Sequence, residues 1–495
     1  MILKTEFKDF AARCREGNLI PVVGELPADL ETPVSVLGRL ADEENVFLFE
    51  SVEGGERFGR YSFIGLNPRG VFTVEDGRAC YRENGETREL VPDDPRKPIF
   101  ALRKLLAGIK AVETPGLPPL FGGAVGYIGY ETSGEFEELP PPKKKIDAPT
   151  TAMMITDEMI VFDNVRHSML LIVCSRVNEY ETEREAYDDA IRRLGELEKM
   201  LKKPLVLPVE PERCDPPARL VPNMTREDYC AIVEKARAAI RAGEIIQVVP
   251  SQKFTAPLES SPFTLYRALR MINPSPYTFF LRIGERTLVG SSPETMVKLE
   301  RGRSSLRPIA GTRKRGSSPA RDRELADELL GDEKERAEHL MLVDLGRNDL
   351  GRTARPGSVQ VRHFMNVERY SHVMHLVSDV DAELDEKFDA FDLLAGTFPA
   401  GTLSGAPKVR AMEIINELEP EPRGVYGGGV GYFSYTGNLD LAITIRTIEI
   451  RNGELSIQVG AGVVFDSVPE KEYEETINKA KAMFEAIRFA GNLRG

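Results

Sequence analysis

The run Gly122-Gly123-Ala124-Val125-Gly126-Tyr127-Ile128-Gly129-Tyr130 returns near the other end of the chain as Gly427-Gly428-Gly429-Val430-Gly431-Tyr432-Phe433-Ser434-Tyr435, identical at six of nine positions. Apolar, aromatic and glycine-rich, each reads as a β segment. Two readings follow. The strands are alike by coincidence, or they are related strands that meet in one fold and so interleave the two halves of the chain.

Working outward, the flanking sequence mixes strand and helix patterns. Val46 to Ser51 reads as a buried strand leaving into a polar loop, Val52 to Gly59, with Tyr61 to Gly65 as its return. Residues 137–145, with Pro140 to Pro142 and Lys143 to Lys145, form a solvated loop. Strands are expected at 151–162 and 167–174 and a charged helix at 179–201. Six prolines from Pro204 to Pro222 exclude regular structure there. The chain thus divides into an N-terminal region, 1–201, a Pro-rich linker, 202–222, and a C-terminal region, 223–490. Thr225 and Asp228 then resemble a capping box that opens a helix ending at Ala242-Gly243. The remainder is α/β. Strands are expected near 245–255, 277–283, 286–290, 294–299, 358–362, 376–383, 425–435, 439–451 and 454–459. Helices are expected near 262–271, 321–330, 332–345, 388–394, 407–417 and 469–489.

With 495 residues, 41% of them hydrophobic, the chain has an ordinary globular makeup. A net charge of −13 argues against non-specific nucleic-acid binding, which needs a basic field. The N-terminus has no continuous apolar core. No apolar run approaches the roughly 20 residues of a membrane span. Five scattered cysteines without a Cys-x-x-Cys pair fit a reduced, cytoplasmic protein.

The chemistry concentrates from Gln458 to Lys479. A β run enters Gly460-Ala461-Gly462, a turn able to offer backbone N–H groups to an anion. Pro469 then opens a helix, with Asp466 or Ser467 placed to cap it. On that helix Glu472, Glu475 and Lys479 share a face. Glu335 and Glu338 repeat the Glu-x-x-Glu spacing on a second helix, so the two pairs could face each other across a Mg²⁺, which takes carboxylate oxygens. Acids in a first helical turn also complement the helix dipole, so spacing alone leaves metal binding open. Four of the five histidines, His339, His363, His372 and His375, lie in one window without a zinc-protease spacing. Glu294 stands where a strand begins. Arg446, inside the apolar run 441–448, needs an acidic partner or an anionic ligand. The residues alone describe an α/β protein with a site for a small polyanion.

Together, Leu48 to Ser51, Asn273 to Tyr277, Gly290 to Glu294, Pro308 to Thr312, Glu338 to Leu345, Arg347 to Asp349, Pro399 to Lys408 and the 458–479 stretch resemble the chorismate-utilising enzymes. The nearest family is anthranilate synthase component I, and the resemblance runs from about residue 20 to 488. It implies that family's fold: a large two-sheet β sandwich flanked by helices, with N- and C-terminal parts interleaved. It makes 1–201 the effector side and 223–490 the chorismate-binding region.

The implied reaction is that of a lyase in tryptophan biosynthesis. Chorismate and ammonia give anthranilate and pyruvate with Mg²⁺, and tryptophan inhibits. The resemblance makes Glu338 and Glu475 the Mg²⁺ ligands, with Glu335 and Glu472 supporting. Gly460, Ala461 and Gly462 would cradle one substrate carboxylate. Arg446, Tyr426 and Lys479 would hold the enolpyruvyl carboxylate, with Gly311 and Thr312 lining the ring pocket. Glu294 resembles the acid that protonates the departing C4 hydroxyl, His375 a histidine set against the substrate, and Thr402 a residue that helps hold the reacting groups. Glu50, Ser51, Asn273, Pro276, Tyr277 and Thr278 resemble the tryptophan pocket, although Phe49 and Thr278 depart from the family's usual Leu and Met.

Two positions select among relatives. Gln247 replaces the Lys base of relatives that add water, which favours ammonia. Ala310 replaces the Lys of aminodeoxychorismate synthase, which favours anthranilate over the 4-amino product. No segment resembles a glutamine amidotransferase, so ammonia from glutamine implies a separate component II and a hetero-oligomer. Aminodeoxychorismate synthase component I and a non-catalytic tryptophan-binding regulatory subunit remain the other readings.

Overall fold

Both halves of the chain contribute to two antiparallel sheets of twelve strands each. The computed structural model describes residues 1–51, 59–211, 219–370 and 373–493. The expected loop 52–59, apart from Gly59, and the middle of the expected linker lie outside these residues, as do Cys214 and His372. No helix among the described residues is long and apolar enough to cross a membrane.

The halves join where the Gly-rich repeats meet. Strand Gly123–Ile128 pairs antiparallel with Gly429–Ser434, in a register that sets Gly126 opposite Gly431. These two glycines are the equivalent positions of the repeated run, so the repeat is a contact and the halves interleave. Neither position has room for a side chain: a Cβ on Gly126 would stand 1.9 Å from the Ala152 carbonyl oxygen, and one on Gly431 (φ +154°) 2.0 Å from that of Asp440. The other sheet joins the halves through Asn45–Glu50 and Tyr277–Ile283. Outward from that junction it runs through Tyr61–Gly65, Glu158–Asp163, Ser168–Arg176 and Leu19–Pro27 on one side. On the other side it runs through Arg286–Ser292, Thr447–Arg451, Glu454–Gly460 and Ser251–Pro257.

Burial on both faces follows from strand alternation. Phe47, Phe279 and Leu281 pack between the sheets with Met153, Val297 and Tyr432. Val46, Leu48 and Phe280 turn the other way, against helices that contribute Leu37, Leu194, Tyr266 and Met483. The Thr225 capping box forms as expected, with Asp228 N–H donating to Thr225 Oγ1 at 3.1 Å and Thr225 N–H to Asp228 Oδ2 at 3.0 Å.

Three expected strands are each two strands. The run 245–255 divides into Gln247–Val248, which pairs with Gly405–Ala406 in a separate two-stranded sheet, and Ser251–Pro257. The run 151–162 divides into Thr151–Thr156 and Glu158–Asp163, in different sheets. The break falls at Asp157, a buried carboxylate that accepts from Arg176 at 2.9 Å and from the Tyr435 hydroxyl at 2.5 Å. The run 439–451 likewise divides into Leu439–Ile443 and Thr447–Arg451. Arg446 is therefore outside any strand, in a left-handed kink (φ +49°) where the chain crosses between sheets. A continuous apolar run hides such a crossing, because strands buried on both faces have no alternation to interrupt.

Candidate active site

Three short connections and two helices converge around Glu294. It lies between strands Arg286–Ser292 and Thr295–Glu300. Its Oε1 accepts from Thr402 Oγ1 at 2.9 Å. Burial pushes its carboxyl up to about 7, against the opposing pull of the Thr402 hydroxyl, Lys479 and Arg446. A carboxyl poised there carries a proton near neutral pH, as a general acid requires.

The Arg446 carbonyl accepts from Ser291 N–H at 3.1 Å, which fixes the kink beside the strand that leads to Glu294. His375, on strand Val373–Glu383, bonds through Nδ1 to the Gly311 carbonyl at 3.0 Å and meets Thr312 Oγ1 at 3.1 Å. A carbonyl only accepts, so Nδ1 carries the hydrogen and Nε2 is left as an acceptor. Burial lowers the pKa of this imidazole, and Arg446 adds to that effect, so the ring is held neutral.

The Glu333–Gly351 helix begins at Asp332, whose side chain accepts from the Lys334 and Glu335 amides. Arg313 ties Asp332 and Glu335 together at 2.7 and 3.0 Å. Gly311 (φ +66°) packs so close that a Cβ there would stand 3.2 Å from Glu335 Oε2. The Pro469–Ala490 helix opens at Pro469 as expected. Its N-cap, however, is Val468 and makes no side-chain cap, which corrects the expected Asp466 or Ser467 cap. Ser467 turns back instead, accepting from Val464 N–H at 3.0 Å and bonding Glu472. Lys479 Nζ sits 2.8 Å from Glu475 and donates to the Gly460 carbonyl at 3.1 Å.

The four glutamates repel one another across these two helices. Burial raises the pKa of Glu338, and Glu335 and Glu475 raise it further. Burial and Glu475 raise that of Glu472. Among the described residues no group of three or more His, Cys, Asp or Glu is placed to hold a metal ion. Glu335 is engaged by Arg313 and Glu475 by Lys479. The donor set still has the hard-oxygen chemistry that a Mg²⁺ takes, and mutual repulsion that a cation would relieve.

At the Gly460–Gly462 turn the Ala461 amide is tied to the Pro250 carbonyl at 3.2 Å, and the Gly460 amide bonds the Tyr426 hydroxyl. The turn is therefore more occupied by its own chain than a three-amide cradle would be. A Cβ on Gly462 would stand 2.6 Å from Gln247 Nε2, and buried Gln247 Oε1 has no hydrogen-bond partner among the described residues. Gln247 thus leaves an acceptor at the edge of the site.

The six effector candidates gather at the junction of the halves. Glu50 accepts from Arg270 at 2.8 Å and from the Tyr266 hydroxyl, and pairs in register with Thr278. Asn273 exchanges hydrogen bonds with Ser291, whose hydroxyl lies 3.4 Å from Thr278 Oγ1. Tyr277 donates to Asp440 at 3.1 Å. Ser51 and Pro276 adjoin these strands in sequence.

Sequence reasoning missed Arg423 and Glu419. Fully buried Arg423 donates to Glu419 at 2.6 Å and to the Leu403 and Val249 carbonyls at 2.7 and 2.6 Å, with its guanidinium 5.6 Å from the Tyr426 ring centroid. The available signal was a helix-spaced Glu–Arg pair, four apart, just before a glycine-rich strand.

A family model for chorismate binding enzymes matches residues 44–485. The chain is 46% identical over 489 residues to anthranilate synthase component 1 of Acetivibrio thermocellus, covering 97% of each. It superposes on the crystal structure of anthranilate synthase component I from Streptococcus pneumoniae with a TM-score of 0.76 at 36% identity, covering 92% of this chain and 98% of that one. The menaquinone-specific isochorismate synthase of Escherichia coli, at 18% identity and a TM-score of 0.70, covers 97% of this chain and 98% of its own and shares the fold.

Proposed function

The chain belongs to the chorismate-binding enzymes and, within them, to the anthranilate synthase component 1 family, and on that premise we propose how its residues divide the reaction. It is a chorismate-utilising lyase that forms anthranilate and pyruvate. The supporting observation is Glu294, a carboxyl whose pKa is raised to about 7, aimed by Thr402 and flanked by Arg446 and Lys479.

Chorismate carries two carboxylates. Arg446 and Lys479 neutralise the enolpyruvyl carboxylate, with Tyr426 beside the Gly460 amide. Gly311 and Thr312 line the ring, with the neutral His375 imidazole held against both through Nδ1. Glu338 and Glu475, supported by Glu335 and Glu472, would hold Mg²⁺, which would supply positive charge to neutralise the ring carboxylate. Glu294 gives its proton to the C4 hydroxyl as it leaves and ammonia adds at C2. Loss of the C2 proton together with the C3 enolpyruvyl group, released as pyruvate, then makes the ring aromatic. Gln247 has no basic group with which to deprotonate water, but its Oε1 can accept from an N–H of the nucleophile. Ala310 leaves no amine near C4, consistent with the 2-amino product.

A glutamine amidotransferase, component II, supplies ammonia from glutamine. Tryptophan binds at the junction of the halves. Ser291 supports feedback there, since it bonds Asn273 through its hydroxyl and Arg446 through its amide. Incubation of the chain with chorismate, Mg²⁺ and ammonium is expected to give fluorescent anthranilate, while glutamine alone gives none. A 4-amino product, or no product, overturns the reading.

A further inference from the structure

Glu294 depends on Thr402 for its aim, and Thr402 lies on a turn without regular structure, 398–404. What fixes this turn is a buried ion pair outside the substrate-facing residues. Lys408 Nζ donates to Asp349 Oδ2 at 2.8 Å and to the Thr397 carbonyl at 2.9 Å. Both side chains are over nine-tenths buried, at 9% and 7% exposure. Thr397 is the last residue before the turn, and Asp349 belongs to the same Glu333–Gly351 helix that carries Glu335 and Glu338. Gly401, in the middle of the turn, lies so close to that helix that a Cβ would stand 2.0 Å from Leu345 Cδ2. A cavity of about 40 Å³ is lined by Asp349, Thr397, Thr402 and Glu294 together. Asp349 of the ion pair and the acid therefore line one small space.

We infer that Lys408 and Asp349 are positioning residues for this reaction: their buried ion pair pins the 398–404 turn to the 333–351 helix, so that Thr402 meets Glu294. One interaction then registers the proton donor against the helix that bears the glutamates. A buried pair of this kind is a poor source of net stability, because desolvation cancels much of the attraction, while breaking it leaves an unpaired charge. Its value here is geometric. The far end of the turn is held independently, by Arg423 on the Leu403 carbonyl. Loss of Lys408 therefore loosens the turn at one end without releasing it.

The inference rests on Glu294 being the acid, and the test separates the two claims. Lys408→Met and Lys408→Arg are assayed with chorismate, Mg²⁺ and free ammonia held constant across a pH series. Lys408→Met is expected to lower kcat at least tenfold with KM for chorismate within twofold, because no substrate-holding group is touched. Freed from Thr402, and still facing Lys479 and Arg446, Glu294 loses a donor to its charged form. The alkaline limb of kcat then moves to higher pH. Lys408→Arg keeps the charge and restores most of the rate. Should Lys408→Met fail to fold, Asp349→Asn keeps the volume and is expected to give the same limb shift. A fallen rate with an unmoved limb, or an unchanged rate, overturns the positioning role. Glu294→Gln in the same assay tests the acid alone: wild-type turnover there defeats the acid assignment whatever Lys408 does.

Discussion

Replacing Thr402 by Val tests the acid most directly, because it removes one hydroxyl and keeps the shape. The Thr402 hydroxyl donates to Glu294 at 2.9 Å and so stabilises the carboxylate over the acid. A hydrogen bond to a charged group is worth about 1.5–3 kcal/mol, and 1.36 kcal/mol is one pKa unit. Glu294 keeps some contact with solvent, so the low end applies and Thr402→Val raises the pKa by about one unit. General acid catalysis needs the protonated form. With a pKa of about 7, roughly one carboxyl in ten is protonated at pH 8, against about one in two for the variant. The alkaline limb of kcat therefore moves up by about one unit, from the region of 7 toward 8. The plateau falls, by about tenfold, because a freed carboxyl is aimed less well. The measurement is anthranilate fluorescence at saturating chorismate and Mg²⁺, with free ammonia constant from pH 6 to 9. A limb that stays in place, or moves down, refutes the reasoning, since then Glu294 either does not titrate in the rate or is not held by Thr402.

Glu294→Gln carries a stability prediction with a definite sign. The folded pKa of about 7 exceeds the ordinary 4.5, so stability falls as pH rises between those values. Gln avoids that penalty, and the variant is expected to be more stable by about 3 kcal/mol at pH 8 and equal near pH 4. Urea melts at both pH values check it; a less stable variant at pH 8 counts against a strained acid. Glu338→Gln and Glu475→Gln are each expected to raise the Mg²⁺ concentration for half-maximal rate at least tenfold, and an unmoved Mg²⁺ titration removes them as ligands. Ser51→Phe is expected to weaken tryptophan inhibition severalfold with kcat nearly unchanged; wild-type inhibition would place the pocket elsewhere. Gly431→Ala forces a Cβ to 2.0 Å from the Asp440 carbonyl oxygen at φ +154°, so a loss of more than about 2 kcal/mol is expected, and a wild-type denaturation midpoint argues against the glycine-mediated junction.

Much of the architecture was legible because local signals agreed with the fold. The repeat at Gly126 and Gly431 located the junction of the halves, since only glycine permits strands that close. The expected strand 277–283 and the helices at 262–271, 407–417 and 469–489 fall within a residue of their observed bounds. The crossings at Asp157 and Arg446 were not legible, because an apolar run reads alike whether it stays in one sheet or passes to the next. For the site, the motifs brought Glu294, Thr402, His375 and Lys479 into view as separate residues. Their supports act through carbonyls and buried contacts: the four-residue spacing of Glu419 and Arg423 was a signal for one pair, and no spacing links Lys408 to Asp349.

The duplicated topology also explains where the site lies. Each half contains a strand pair closed at the same point: Leu19 opposite Arg176 in the first, Ser251 opposite Gly460 in the second. Each then continues into a long helix, with Arg193 ten residues after Glu183 and Lys479 ten residues after Pro469. In the first half these positions are closed by the protein's own charges. Arg176 pairs with Asp157 at 2.9 Å and Arg193 with Glu158 at 2.7 Å. In the second half the strand end is a glycine, and the crossing between sheets carries a cation, Arg446, where the first half carries Asp157 and Glu158. Acid and base there satisfy each other. Here Arg446 and Lys479, the latter paired with Glu475 at 2.8 Å, lie beside Glu294, with a glycine turn in place of a large side chain. The same topology thus sets two ion pairs at these positions in the first half, and in the second a glycine turn, the Lys479–Glu475 pair and the raised carboxyl of Glu294.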